Sequence, residues 1–376
     1  MQVPLLDLKK QYQGIKEEVL KVTEEIYESQ YFILGPHVEK LEKEIAEYCN
    51  TEFSLGVSSG TDALIISLMC ADVGKDDLVL TTPYTFFATA GSIARVGATP
   101  LFADIDPDTF NIDPNSMVKT IESLSDGDRA KLKAIMPVHL YGQCAEMDQI
   151  MEIAKKYNLV VIEDAAQAIG SEYKGKRAGQ VGDFGCFSFF PSKNLGAFGD
   201  GGIVTTKSAE MYEKLVKLRN HGSHPKYYHE MVGGNFRLDA LQAAIVSIKL
   251  KHLDGWTNQR QNNASIYRKL FNEAGLENVK LPKEVQSRHI YNQFIISVDE
   301  KRDELRAFIN DNGIGNDIYY PVPLHLQNCF KDLGYKKGDF PVSENAADST
   351  IAIPIYPDLT EDQLEYVVAT IKKFYK

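Results

Sequence analysis

A chain of 376 residues, 44% hydrophobic and 25% charged, has room for two packed cores and the composition of a globular protein. Its 52 acidic against 41 basic side chains leave a net charge of −11, which excludes global attraction to nucleic acid or an anionic membrane but not a local pocket for a small anion. Five scattered cysteines without a CxxC, eight histidines without H-E-x-x-H, and no apolar run near the roughly 18 residues of a membrane span read as a cytoplasmic protein with reduced thiols and no metal site.

In chain order, residues 11–28 and 36–49 carry two amphipathic helical patterns joined by "YFILGP". From about 50 to 206, short β-rich runs alternate with helical ones. The strands are expected at 53–59, 78–82, 99–105, 132–138, 159–164, 185–190 and 201–206, with helices at 61–73, 85–96 and 145–157. Several of the strands are continuously apolar, as strands covered on both faces are, so the alternation predicts a mostly parallel sheet between helical layers. Leu238, Leu241, Ile245 and Ile248 then mark a long helix to about 253, and a second runs to about 274. After 280 the pattern becomes strand, helix, strand ("IYNQFIISV", "RDELRAFINDNG", "NDIYYPV"). The chain closes on a helix with the capping-box pattern Thr360-Glu361-Asp362-Gln363. The boundary falls in the long-helix region, giving N-terminal helices with a large α/β domain over 1–255 and a small α+β domain over 256–376.

Open α/β sheets bind ligands at the carboxyl ends of their strands, and three such ends carry chemistry. "SSGTDAL" follows a strand and opens a helix. Gly60 and Thr61 there present backbone N–H groups that suit a phosphate, although an ordinary helix cap from Ser59 to Asp62 explains the same residues. "LVVIED" brings Glu163 and Asp164 to the end of a buried strand. A carboxylate in that place needs a salt bridge, a capping duty or a cationic ligand group such as a protonated ring nitrogen.

The third end is "SFFPSKNLGAFGDGG", which sets Lys193 between an aromatic run and a glycine-rich loop. A free lysine is uncharged about once in 2,500 at pH 7, and lowering its pKa by two units costs about 2.7 kcal/mol while raising the neutral fraction roughly a hundredfold. Burial beneath Phe189 and Phe190 is the expected source of such a shift, after which the amine can form a Schiff base. A solvated loop lysine is the plain alternative for Lys193 alone. The combination decides against it: an anion cradle, a carboxylate and a lysine on three strand ends match the needs of pyridoxal phosphate, with Phe86 available to stack on its ring. Two competitors fail. "GSEYKGKR" (170–177) has phosphate-loop spacing, but Arg177 replaces the magnesium-holding hydroxyl and the segment reads as a hairpin; no G-x-G-x-x-G opens a helix.

"SSGTDAL", "YTFFATA", "FADIDPDTFNID", "PVHLYGQ", "IEDAAQAIG", "SFFPSKNLGAFGDGG", "GGNFRLDALQAA" and "YYPVPLHLQ" resemble, in order and nearly end to end, the sugar-nucleotide aminotransferases of the DegT/DnrJ/StrS type. The resemblance implies fold type I of the pyridoxal-phosphate enzymes: a mostly parallel seven-stranded sheet flanked by helices, a small C-terminal domain, and a homodimer with shared active sites. It implies that Lys193 is the Schiff-base lysine, that Asp164 partners the pyridine nitrogen and that Gln167 bonds the phenolic oxygen. Gly60, Thr61 and Ser188 would hold the phosphate with Asn235 of the other subunit, and Phe86 would stack on the ring. Tyr319 and His325 are candidate substrate contacts, and "YFILGP" is a candidate to close the site. The implied reaction moves an amino group from L-glutamate to a keto group of a dTDP- or UDP-linked sugar, the cofactor cycling between pyridoxal and pyridoxamine phosphate. Position three of the sugar is favoured over position four of a 4-keto-6-deoxy sugar. Relatives with histidine in place of the lysine are sugar dehydratases; the lysine here disfavours that activity, as a complete site disfavours a non-catalytic regulator.

Overall fold

In a computed structural model, which describes residues 1–225 and 227–376, the seven apolar runs all form strands of one sheet. These are β1 (Phe53–Val57), β2 (Leu78–Thr81), β3 (Thr99–Phe102), β4 (Leu132–Ile135), β5 (Val160–Asp164), β8 (Phe184–Ser188) and β9 (Gly202–Thr206). Between β5 and β8, Glu172–Tyr173 (β6) and Lys176–Arg177 (β7) make the hairpin that the sequence suggests in place of a phosphate loop. The sheet order is β1-β9-β8-β5-β4-β2-β3; β9 alone runs against its neighbours, and the others share one direction. The carboxyl ends of β2, β4, β5 and β8 therefore open on one edge.

Two apolar layers sandwich the sheet. One is built around Leu41, Ile45, Val161, Phe187, Phe189 and Val246, the other around Leu64, Leu68, Val79, Ile162, Phe184 and Val204. Adjacent residues of one strand, such as Val161 and Ile162, thus bury into opposite layers, which is why these strands are apolar throughout. The helix Gly60–Cys70 is apolar on most sides because, beyond its open first turn, it lies largely inside the second layer.

The helices Lys9–Ser29, Pro36–Cys49, Ala240–Leu250 and Leu253–Ala274 follow the expected periodicities. The last of them joins two cores: Leu253 packs with the sheet, whereas Ala264, Tyr267 and Phe271 pack on Phe294, Ile351 and Leu364 of the C-terminal part, together with Val3 from the start of the chain. The C-terminal sheet is antiparallel, β10 (Val279–Lys280), β11 (Phe294–Val298) and β12 (Thr350–Ile353). Its third strand is not the expected 316–322. That segment makes a single bridge, Asp317 to Ala352; Tyr320 then takes a positive φ of 61°, and Pro321 and Pro323 lack the N–H that a ladder needs. The closing helix, Glu361–Phe374, carries the capping box foreseen between Thr360 and Gln363.

Candidate active site

The pair at the end of β5 divides its labour. Pleating sends Glu163 and Asp164 to opposite faces of the sheet. Glu163 is fully buried and accepts hydrogen bonds from His139 Nε2 at 2.7 Å and from the N–H groups of Gly179, Val181 and Gly182 at 2.8, 2.9 and 2.6 Å. Because Ala145 N–H donates to His139 Nδ1, the proton of that ring sits on Nε2 and faces the carboxylate. Burial works to raise the Glu163 pKa, but His139 and the backbone donors outweigh it and hold the carboxyl below its ordinary value. Glu163 is saturated by its own chain.

Asp164 is not. It is buried, receives the Thr89 hydroxyl at 2.8 Å and a long bond of 3.3 Å from Ala166 N–H, and burial raises its pKa against these donors and the charge of Lys193. A buried carboxylate that is short of donors is a ready partner for a cationic ligand group. Thr89 lies in the first turn of the helix Ala88–Arg95, and Phe86 just before it is exposed, its ring free of the core.

Lys193 follows β8, the strand beside β5, in which Cys186 stands level with Asp164. The residue as a whole is half-buried, yet burial of its amine pushes the pKa down to about 8, opposed by Asp164. About one amine in ten is then neutral at pH 7, against roughly one in 2,500 for a free lysine. The aromatic cover differs from expectation. Phe189 is fully buried but Phe190 is half exposed, because consecutive residues leaving a strand face opposite ways.

Ser188, the last residue of β8, meets the turn before the helix Gly60–Cys70. A Cβ on Gly60 would lie 2.6 Å from Ser188 Cβ, and one on Gly202 would lie 2.5 Å from the Ser59 carbonyl and 2.8 Å from Gly60 N. Only glycine lets three chain segments close around that helix N-terminus. Ser59 does cap the helix, accepting from Asp62 N–H at 3.0 Å, and Ser58 donates to the Asp62 carboxylate at 2.6 Å. The cap and an anion cradle coexist, since the cap engages Asp62 N–H and leaves the Gly60 and Thr61 N–H groups at the open end.

Gln167 is held on both sides: Tyr141 N–H donates to its Oε1 at 2.7 Å, and its Nε2 donates to the Tyr320 hydroxyl at 2.6 Å. Tyr141 and Tyr320 both have positive φ, 58° and 61°, a strained conformation for an aromatic residue and one that clusters at functional sites. Tyr319 is half-buried with its ring 6.1 Å from Tyr320. The turn Leu324–Leu326 is tied to the "TTPY" segment by Leu324 N–H to the Pro83 carbonyl. Within it, His325 is buried, hydrogen-bonds Glu344 through Nε2 at 3.0 Å and packs on Phe340 at 4.8 Å. Burial lowers its pKa against the pull of Glu344. Asn235 stands apart, exposed in the loop before the helix Ala240–Leu250, where it bridges Asn220. "YFILGP" borders the same helix, its Phe32 carbonyl accepting from Ala240 N–H.

Residues 13–372 match the DegT/DnrJ/EryC1/StrS aminotransferase family. The chain belongs to that family. Among curated relatives, a "pleiotropic regulatory protein" of Geobacillus stearothermophilus is 51% identical, covering 100% of this chain and 99% of the relative. The UDP-N-acetyl-3-dehydro-alpha-D-glucosamine 3-aminotransferase of Acidithiobacillus ferrooxidans is 39% identical over 99% of this chain and 97% of its own. Among solved structures, S. venezuelae DesV in complex with a ketimine intermediate superimposes with a TM-score of 0.94 at 37% identity, covering 100% of this chain and 99% of that one. The α/β fold of this family member is that of the aminotransferase structures.

Reading the sequence alone missed three features of the site: the donation from Thr89 to Asp164, the tyrosines bracketing Gln167, and Lys249. Lys249 lies in the helix Ala240–Leu250 beneath the glycine-rich loop. For Lys249 a signal existed, a lone charge at the end of the apolar stretch "AAIVSIKL".

Proposed function

We propose that this protein transfers the amino group of L-glutamate to a nucleotide-linked keto-sugar at position three, using pyridoxal phosphate, as a homodimer built from a large domain (1–255) and a small one (256–376). The observation that carries the reading is the meeting, on one sheet edge, of a half-buried lysine whose amine has a lowered pKa, a donor-poor buried carboxylate and a helix N-terminus closed around glycines. These residues fit the cofactor. Gly60, Thr61 and Ser188 would hold its phosphate with Asn235 of the second chain, Asp164 its ring nitrogen, Gln167 its phenolic oxygen, Phe86 its ring face and Lys193 its aldehyde. When bound, pyridoxal phosphate supplies an electron sink for the carbanion left as the donor loses its α-proton.

The chain's own part is proton handling and orientation. Lys193 Nζ would hold the cofactor aldehyde and, when not so engaged, would take the donor's α-proton and return it as general acid–base. Asp164 would keep the ring nitrogen protonated, since a buried carboxylate gains more from a cationic partner than from a neutral one. Thr89 fixes the carboxylate, and Tyr141 and Tyr320 fix the Gln167 amide. Tyr319 and His325 would lie on the substrate side, His325 from behind the surface because it is buried against Glu344 and Phe340. Position three rests on the named activity of the 39% identical relative.

The test is incubation of the purified protein with glutamate and a panel of 3-keto and 4-keto nucleotide sugars, products being identified by mass and NMR. A 3-amino sugar is expected. Amination at position four alone would overturn the regiochemistry, and no amination of any sugar the activity. Lys193→Ala should abolish both turnover and the visible absorbance of bound cofactor, and turnover that survives would reject the mechanism; a wild-type protein that aminates no sugar would instead favour a regulatory role like that in the name of the 51% identical relative.

A further inference from the structure

Lys249 is a buried lysine beside the loop that carries Lys193. Only 3% of its surface is exposed, it sits at the end of a helix buried on almost every side, and its Nζ donates to the Gly196 carbonyl. The amine also lies over the Phe198 ring, 5.3 Å from its centre. Burial pushes its pKa down to about 8, with no carboxylate opposing the shift. Leaving a cation so placed costs several kcal/mol, which an apolar side chain of the same length would avoid.

The same helix holds the loop at a second point, since Gln242 Oε1 accepts from Phe198 N–H at 2.9 Å. On the opposite side Asn194, next to Lys193, donates to the Ile290 carbonyl at 3.1 Å and accepts from Asn292 Nδ2 at 2.8 Å. Ala197 N–H returns to the Phe189 carbonyl at 2.7 Å. Of these ties, the one to Gly196 is made by a charged donor, and a charge-assisted bond to a carbonyl is stronger than a neutral one. Gly196 lies tight against the preceding turn, where no side chain fits, because a Cβ there would lie 2.3 Å from the Pro191 carbonyl oxygen.

We propose that Lys249 is a positioning residue for Lys193: by gripping the Gly196 carbonyl from the helix Ala240–Leu250 it clamps segment 194–198 and keeps the Lys193 amine desolvated and directed at the Asp164 side of the site. The inference rests on the reading of Lys193 as the cofactor lysine. Removing the clamp acts in one direction: a looser loop lets water reach Lys193, which relieves the desolvation that favours the neutral amine.

The experiment compares the full-length holoprotein with Lys249→Met and Lys249→Arg. It measures the pH midpoint of the visible cofactor band and the hydrogen exchange of amides 194–198. In Lys249→Met the midpoint should rise by about half a unit or more and exchange at Ala197 and Phe198 should quicken at least tenfold. Lys249→Arg, which restores the charged donor, should return both toward wild type. A Lys249→Met protein with wild-type midpoint and exchange, even one of lower melting temperature, would reduce Lys249 to a packing lysine and overturn the proposal. Absence of any visible band in the wild-type holoprotein would strike the cofactor reading instead, so the two failures are distinguishable.

Discussion

At Glu163 and Asp164 two like side chains stand one residue apart, and the difference between them is the number of donors each face of β5 supplies. Glu163 receives four, from His139 and three backbone amides, and organises the turn 179–182. Truncating it strands these donors in the interior, so Glu163→Ala should lower unfolding stability by about 3–5 kcal/mol, measured by urea denaturation. Asp164→Asn should behave differently. The amide oxygen still accepts from Thr89, and the stability loss should stay within about 1 kcal/mol, while kcat falls at least a hundredfold because a neutral amide no longer favours a protonated ring nitrogen. A variant that unfolds, or one that turns over at the wild-type rate, would refute this division of roles. Both carboxylates were legible in "LVVIED" as costly groups at a strand end. Which one was spare was not, because that depends on His139, on Thr89 and on the 179–182 turn, all distant in sequence.

Among the elements, the legible ones were those whose sequence carries its own reason. All seven runs of the large sheet were legible as β-rich segments, several of them apolar enough to need cover on both faces, and the Thr360–Gln363 cap is local. The helix Pro341–Ser349 shows the opposite case. Its N-cap, Phe340, offers no side-chain acceptor, and the cap comes instead from Asp104, just past β3. The Asp104 carboxylate accepts from Val342 N–H at 3.0 Å, Ser343 N–H at 2.9 Å and the Ser343 hydroxyl at 2.6 Å. No local reading finds a cap supplied from more than 200 residues away. The same helix leads directly into β12, the strand that the reading placed instead at 316–322. Asp104→Ala should therefore cost about 1–2 kcal/mol, as loss of a helix cap does, and should loosen the packing of this helix on the large sheet. Faster amide exchange confined to residues 342–346, with Asp104→Asn recovering part of the protection, is the expected pattern; uniform exchange along the chain would argue against a cap.

For the whole molecule, the proposed dimer has a candidate surface. Leu20, Tyr27, Tyr31, Phe32 and Ile33 are exposed along the N-terminal helices, and Tyr228 and Val232 stand out from the loop that carries Asn235. Contiguous exposed apolar groups mark an interaction surface more often than free surface, and Tyr31, Phe32 and Ile33 are consecutive. If the partner is the same chain and Asn235 completes the neighbouring site, two inactive variants must rescue one another. Lys193→Ala lacks the reacting amine, and Asn235→Ala lacks the contact it lends. In a hybrid dimer one of the two sites receives both intact residues, while the other receives neither. Random exchange of equal amounts makes half of the dimers hybrids, so about a quarter of all sites should regain activity. Each variant alone should sediment at twice the 42.1 kDa chain mass and turn over little. Mixing without recovery, while mass spectrometry shows hybrids to be present, would mean that each chain builds its site from its own residues and that Asn235 serves only its own loop.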